Sequence, residues 1–169
     1  MEKVNLNKGA ALIFILLLAT FLRLYQLNRV PPSPSLDEVS LGYNAYSILK
    51  TGRDEYGTKL PLILRAYDDF RPALYAYLII PFLPIFGLSV LAVRLPAVIL
   101  SLVTVGVTYL LANELWSPPK KISTGPIEIN AGLMASLLLA ISPWHVYLSR
   151  LGHETNLGLT LVVLGVYFF

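Results

Sequence analysis

A chain of 169 residues with 56% hydrophobic and 14% charged residues, at a mean hydropathy of +0.66, is far more apolar than an average soluble domain, where about 25% of residues are charged. It has no cysteine, which excludes a disulfide framework, a thiolate metal site and a cysteine nucleophile. The net charge of +3 is spread over loops in which acids stand beside bases, so no stripe suited to nucleic acid is present and the composition predicts a membrane protein.

The first predicted element is an apolar run from Gly9 to Leu27, about 19 residues, near the ~20 that cross a ~30 Å hydrocarbon core. Its one charge, Arg23, lies near the end, where a long side chain can reach an interface. Lys3 and Lys8 also fit a signal peptide. The run nevertheless exceeds the usual ~7–15 residue apolar core, and no small-x-small cleavage site precedes Pro31, Pro32 and Pro34, so a retained helix is expected.

Next comes SPSLDEVSLGYNAYSILKTG, Ser33 to Gly52. Ser35 is placed to cap a helix starting near Leu36, with Glu38 three residues later as a capping box requires. Gly52 follows Leu49 and Lys50 as a stop signal. Val39, Gly42, Tyr43, Tyr46 and Leu49 recur at helical spacing, giving an apolar and aromatic face suited to a bilayer surface. RDEYG (Arg53 to Gly57) reads as a solvated turn, and Asp68 and Asp69 as loop surface or acceptor-site lining.

RPALYAYLIIPFLPIFG, Arg71 to Gly87, is apolar enough for a membrane helix, but Pro72, Pro81 and Pro84 leave about eight residues for uninterrupted helix hydrogen bonding. Runs of spanning length follow at Leu91–Leu111 and Ala131–Leu148, and a fourth starts at Leu157 and is still apolar at Phe169. That last run, at about 13 residues, is too short to span, so the sequence reads as the N-terminal part of a longer protein.

Two arrangements follow from the proline-rich stretch. If it spans, SRLGHETN (Ser149 to Asn156) lies opposite Asp37, and the loop with Lys120 and Lys121 shares its side. If it lies along the interface, SRLGHETN shares a side with Asp37 while Lys3, Lys8, Lys120 and Lys121 fall on the other, as the positive-inside tendency prefers. The basic residues between Asn28 and Arg71 pull the other way, so charge leaves the orientation open.

Asp37 and Glu38 have two local readings. They complement the helix dipole and close the cap, a dipole contribution of about 0.3–1 kcal/mol. Alternatively, a carboxylate at the membrane surface serves as a base on an acceptor beside a lipid-borne substrate.

The order of these segments carries a resemblance. An N-terminal apolar helix, LDEVSLGYNAYSILKTGRDEYG, a GTKLPL turn, FRPALYAYLIIPFLPIFGLS, AVRLPAVI and SPWHVYLSRLGHETN together resemble the membrane glycosyltransferases of the C superfamily. The chain is most similar to family 39 and its relatives, the protein mannosyltransferases and lipid A aminoarabinose transferases, from about Leu12 onward. The resemblance implies an all-α, polytopic helical membrane protein with membrane helices at about 9–27, 91–111, 131–148 and 157–169. It also implies juxtamembrane amphipathic helices in an extracytoplasmic loop at about 28–90.

It further implies transfer of one sugar from a polyprenyl-phosphate donor to an extracytoplasmic protein, lipid or glycan acceptor by direct displacement, at a bacterial or archaeal plasma membrane. Asp37 becomes the candidate base, with Glu38 as helper or cap, and Glu154 beside His153 becomes the second acidic site. Arg71 and Arg150 flank apolar segments where a lipid phosphate would lie, and either also fits an ordinary interfacial anchor.

The residues identify no cofactor, and a divalent cation stays open. A divalent cation on His153, Glu154 and a first-loop carboxylate would lack a second spaced histidine. His145, beside Trp144, reads as interfacial or packed. A different class stays open: a transporter or non-catalytic membrane subunit in which the arginines and acidic pairs are structural.

Overall fold

The computed structural model describes residues 8–66, 68–116 and 130–169; Lys3, Lys120 and Lys121 lie outside them. Helix α1 (Lys8–Leu24) stops short of the expected Leu27 because Gln26 takes a left-handed φ of 51°, which a continuing helix does not accommodate. Helix α2 (Leu36–Thr51) begins at the capping box: the Glu38 N–H donates to the Ser35 hydroxyl and the Ser35 N–H donates to the Glu38 carboxylate. It ends at Gly52, whose φ of 71° supplies the left-handed cap.

The segment between α2 and the next long helix is not purely helical. Strands β1 (Ile63–Ala66) and β2 (Asp69–Pro72) pair antiparallel with Leu64 opposite Arg71. Leu64 and Ala66 turn into the core, which sends Ile63 and Arg65 outward. The proline-rich stretch then forms short pieces, α3 (Leu74–Ile79), a 3-10 turn (Ile80–Phe82) and α4 (Leu83–Phe86), with Pro81 and Pro84 opening the last two. Its inner side chains Tyr75, Ala76, Ile79 and Leu83 close a core with Leu41, Ala45 and Ile48 of α2.

Helix α5 (Val90–Leu115) is the axis of the molecule, with α6 (Ala131–Ile141) and α8 (Glu154–Phe168) packed along it and α1 against α5 and α6. Pro96 withdraws the bond that the Ala92 carbonyl would accept, and the Tyr75 hydroxyl donates to the adjacent Val93 carbonyl at 2.9 Å. A second core joins Ile15 and Ala19 of α1 to Val105 and Ala140. Between α6 and α8 runs α7 (Pro143–Ser149), bent 61° from α6.

The polytopic membrane architecture expected from hydropathy is overturned. Among the described residues one helix, α5, is long and apolar enough to cross a membrane, and α6 with α7 joins it only if a strongly bent pair counts as one span. Half of the most apolar window of α5 is buried inside the protein, so its apolarity also serves a core helix. The chain is a small, mostly helical protein.

The physical reasons are local. Pro143 lacks an N–H and forces Ser142 out of the helical region, to φ −57°, ψ 118°, cutting the expected 131–148 run in two. The run placed at 157–169 starts earlier, at Glu154, yet reaches 15 residues, and α1 reaches 17.

Candidate active site

Glu38 is the anchor beneath the site, and it points inward. Its carboxylate accepts from Arg94 Nε at 2.7 Å and Nη2 at 3.2 Å, and also from the Gly152 N–H at 2.9 Å and the Ser35 N–H at 2.9 Å. Arg94, fully buried near the start of α5, donates as well to the carbonyls of Leu27, Pro31 and Ser33. One ion pair thus ties the segment after α1, the start of α2, α5 and the loop before α8 to a common point.

Gly152 must be glycine for this closure, since a Cβ there would sit 2.5 Å from Val93 Cγ1 and 2.9 Å from the Val93 carbonyl oxygen.

Burial alone would raise the Glu38 carboxyl, but the Arg94 hydrogen bonds, the Gly152 and Ser35 N–H groups and the Arg94 charge together hold it below its ordinary 4.5. A carboxyl depressed in the folded state contributes stability that is complete above its unfolded value and lost as pH falls through the folded one. The difference in melting temperature between wild type and Glu38→Gln should therefore be constant above about pH 5 and shrink below it. Thermal unfolding followed across that range is the check.

With Glu38 fixed, Asp37 is turned toward the surface on the first turn of α2. Its side chain is 36% exposed and meets two partners, Arg71 Nη1 at 2.8 Å from Oδ1 and His153 Nε2 at 3.3 Å from Oδ2. Arg71 comes from β2, and His153 caps the N-terminus of α8. Asp37 and SRLGHETN therefore share one end of the helix bundle.

The tautomer of His153 follows from its neighbours. Nδ1 accepts from the Thr155 N–H at 3.2 Å, which can only donate, so the ring proton sits on Nε2 and faces Asp37. The Thr155 hydroxyl, 2.7 Å from the same nitrogen, donates to it too. Glu154 Oε2 lies 3.5 Å from Nδ1, which has no proton to offer it, and this buried oxygen is left with no hydrogen-bond partner.

Arg71 is unsatisfied in the opposite sense. Its side chain is nine-tenths buried; Nη1 pairs with Asp37 Oδ1 at 2.8 Å and Nη2 donates to Asp69 Oδ2 at 3.4 Å, while Nε has no hydrogen-bond partner. Burial would lower its pKa, but Asp37, Glu154 and Asp69 around it keep the guanidinium above its ordinary value. A buried donor, Arg71 Nε, and a buried acceptor, Glu154 Oε2, are therefore left open beside a carboxylate that is about one-third exposed.

The two remaining candidates are engaged elsewhere. Glu38 serves the cap and the buried pair. Arg150 spends its guanidinium on backbone, donating to the carbonyls of Leu22 at 2.8 Å, Tyr25 at 2.6 Å and Val30 at 2.9 Å. His145 is buried against Arg23, whose Nη2 approaches its Nδ1 at 2.8 Å.

Among the described residues no group of three or more histidine or acidic side chains is arranged to hold a metal ion. Sequence reasoning missed Arg94 and Thr155; a lone arginine opening an apolar helix was the one available signal for the first.

Comparison of the chain with protein-family models, with curated proteins and with solved structures finds no match.

Proposed function

We propose that this chain belongs to a glycosyltransferase that moves one sugar from a polyprenyl-phosphate carrier to a hydroxyl-bearing acceptor at a membrane surface. The observation that carries the reading is the Arg71 guanidinium, nine-tenths buried and paired with Asp37 at 2.8 Å, whose Nε is left without a hydrogen-bond partner close to the unpartnered Glu154 Oε2, since buried polar groups are seldom left without partners unless a ligand completes them.

In this reading the acceptor oxygen loses its proton to Asp37 and bonds to the anomeric carbon as the carbon–phosphate-oxygen bond breaks. The polyprenyl phosphate leaves with the bonding pair, and the Arg71 N–H groups meet its added charge. His153 Nε2 lies 3.3 Å from the second oxygen of Asp37, close enough to favour one orientation of the carboxylate. The resemblance of the sequence to the C superfamily favours the same substrates.

Exposed apolar side chains on α1 (Ile13, Phe14, Leu17 and Phe21) and on α8 (Leu161, Val162 and Val166) favour contact with lipid, where such a carrier resides. A transporter or purely structural subunit would use the acidic pairs as ion pairs alone, and would have no need of open buried donors.

The test is binding of short-chain polyprenyl-phosphate hexoses and pentoses to the full-length protein in lipid nanodiscs. Saturable binding is expected, weaker by roughly 10–100-fold in Arg71→Ala, as loss of charge-assisted hydrogen bonds entails. No saturation with any donor, or equal affinity in Arg71→Ala, rejects the reading.

A further inference from the structure

One helical turn beyond Asp37, a recess opens on the surface. Val39, Ser40 and Tyr43 of α2 face Glu55 and Tyr56 across a cleft of about 190 Å³. The RDEYG turn that forms its far wall is expected from sequence to be merely solvated. Instead it is gripped by a fully buried side chain, Asn44, whose Oδ1 accepts from the Glu55 N–H at 3.1 Å and whose Nδ2 donates to Glu55 Oε1 at 2.9 Å.

Asp54, also buried, takes the N–H groups of Tyr56 and Thr58 and so fixes the turn that presents the Tyr56 ring. That ring is backed by the Arg65 guanidinium at 5.2 Å. Glu55 is thus a surface carboxylate with one oxygen committed to Asn44 and the other available. On either side of it the rings of Tyr43 and Tyr56 are about half exposed, at 51% and 53%.

We propose that this cleft binds a single sugar ring. The C–H face of a pyranose would lie on the tyrosines, its hydroxyls donating to Glu55 Oε2 and exchanging a hydrogen bond with Ser40. Two tyrosines and a carboxylate could also receive an organic cation, but Arg65 already places positive charge on Tyr56, which favours a neutral polyhydroxy ligand. Side chains three apart on a helix lie about 5–6 Å from one another, so a ring against Ser40 brings a hydroxyl or its anomeric carbon within reach of Asp37.

The role given to the sugar, as part of the donor or of a glycan acceptor, rests on the transfer reading above; the binding itself does not.

Saturation-transfer NMR on the full-length protein with a panel of methyl glycosides, and with choline as the cationic probe, tests it. At least one glycoside should saturate at millimolar concentration. Its affinity should fall tenfold or more in Tyr56→Ala and in Glu55→Gln, and be retained in Tyr56→Phe. Displacement of that glycoside by a polyprenyl-phosphate sugar assigns the cleft to the donor; simultaneous binding assigns it to the acceptor.

No saturating glycoside, unchanged affinity in Tyr56→Ala, or saturation by choline alone overturns the proposal. Glycoside binding without any sugar transfer would reject the transfer reading while leaving the cleft assignment standing. Transfer that proceeds in a protein that binds no glycoside would do the reverse.

Discussion

Arg94→Met should destabilise the protein by about 3–5 kcal/mol, the cost typical of removing one partner from a buried ion pair. The methionine fills much of the volume, so the loss is electrostatic and hydrogen-bonding rather than a cavity. Glu38, 2% exposed, would be left buried without a counter-ion, and three carbonyls, of Leu27, Pro31 and Ser33, would lose their donors.

Neutralising both partners is often nearly free when they satisfy only each other. Here they do not, because Glu38 also serves the N–H groups of Ser35 and Gly152. The double variant Glu38→Gln with Arg94→Met should therefore recover only part of the loss. Thermal and urea unfolding of the three variants decides this, and full recovery in the double variant would show that the backbone ties contribute little.

Asp37→Asn should reduce sugar transfer by about 10²–10⁴ in turnover, the usual contribution of a positioned base. The substitution keeps the size of the side chain and leaves an oxygen facing His153 Nε2, so the site should retain its shape. Arg71 keeps Asp69 at 3.4 Å and loses its nearest anion, which should leave phosphate binding unchanged or slightly tighter. The expected pattern is a fall in kcat with the donor affinity held. Because the pair is partly exposed at Asp37, its stability contribution is small, about 0–1 kcal/mol, and the melting temperature should barely move. Turnover within a few-fold of wild type would remove Asp37 from the role of base.

Helix α2 was legible almost to the residue, because its signals are local: Ser35 and Glu38 close the start, and Gly52 stops the end. Apolar runs were legible as apolar but not as spans. A window of hydropathy averages over Pro143, while the backbone cannot, and it bends there. The hairpin at 63–72 has strands of four residues each, too short to impose a readable alternation.

Of the candidate site, Asp37, Arg71 and the pair His153 and Glu154 were singled out separately, and the structure brings all four residues together. Their convergence is a matter of long-range pairing, which no periodicity encodes. Glu38 read as a cap and proved to be one, but its second set of partners lies on α5 and in the loop before α8, and nothing near residue 38 announces them.

The Glu38 carboxylate also imposes an order in time. As the chain leaves the ribosome, α2 can form with its local cap, but Glu38 has no counter-charge until residue 94 emerges and no loop to hold until residue 152 follows. Until then the carboxylate stays hydrated, the first turn of α2 is tethered to nothing distant, and Asp37 has no His153 to face. The first turn of α2 is made early in synthesis and its distant partners arrive late, so a nascent chain carries the proposed base long before it carries a site.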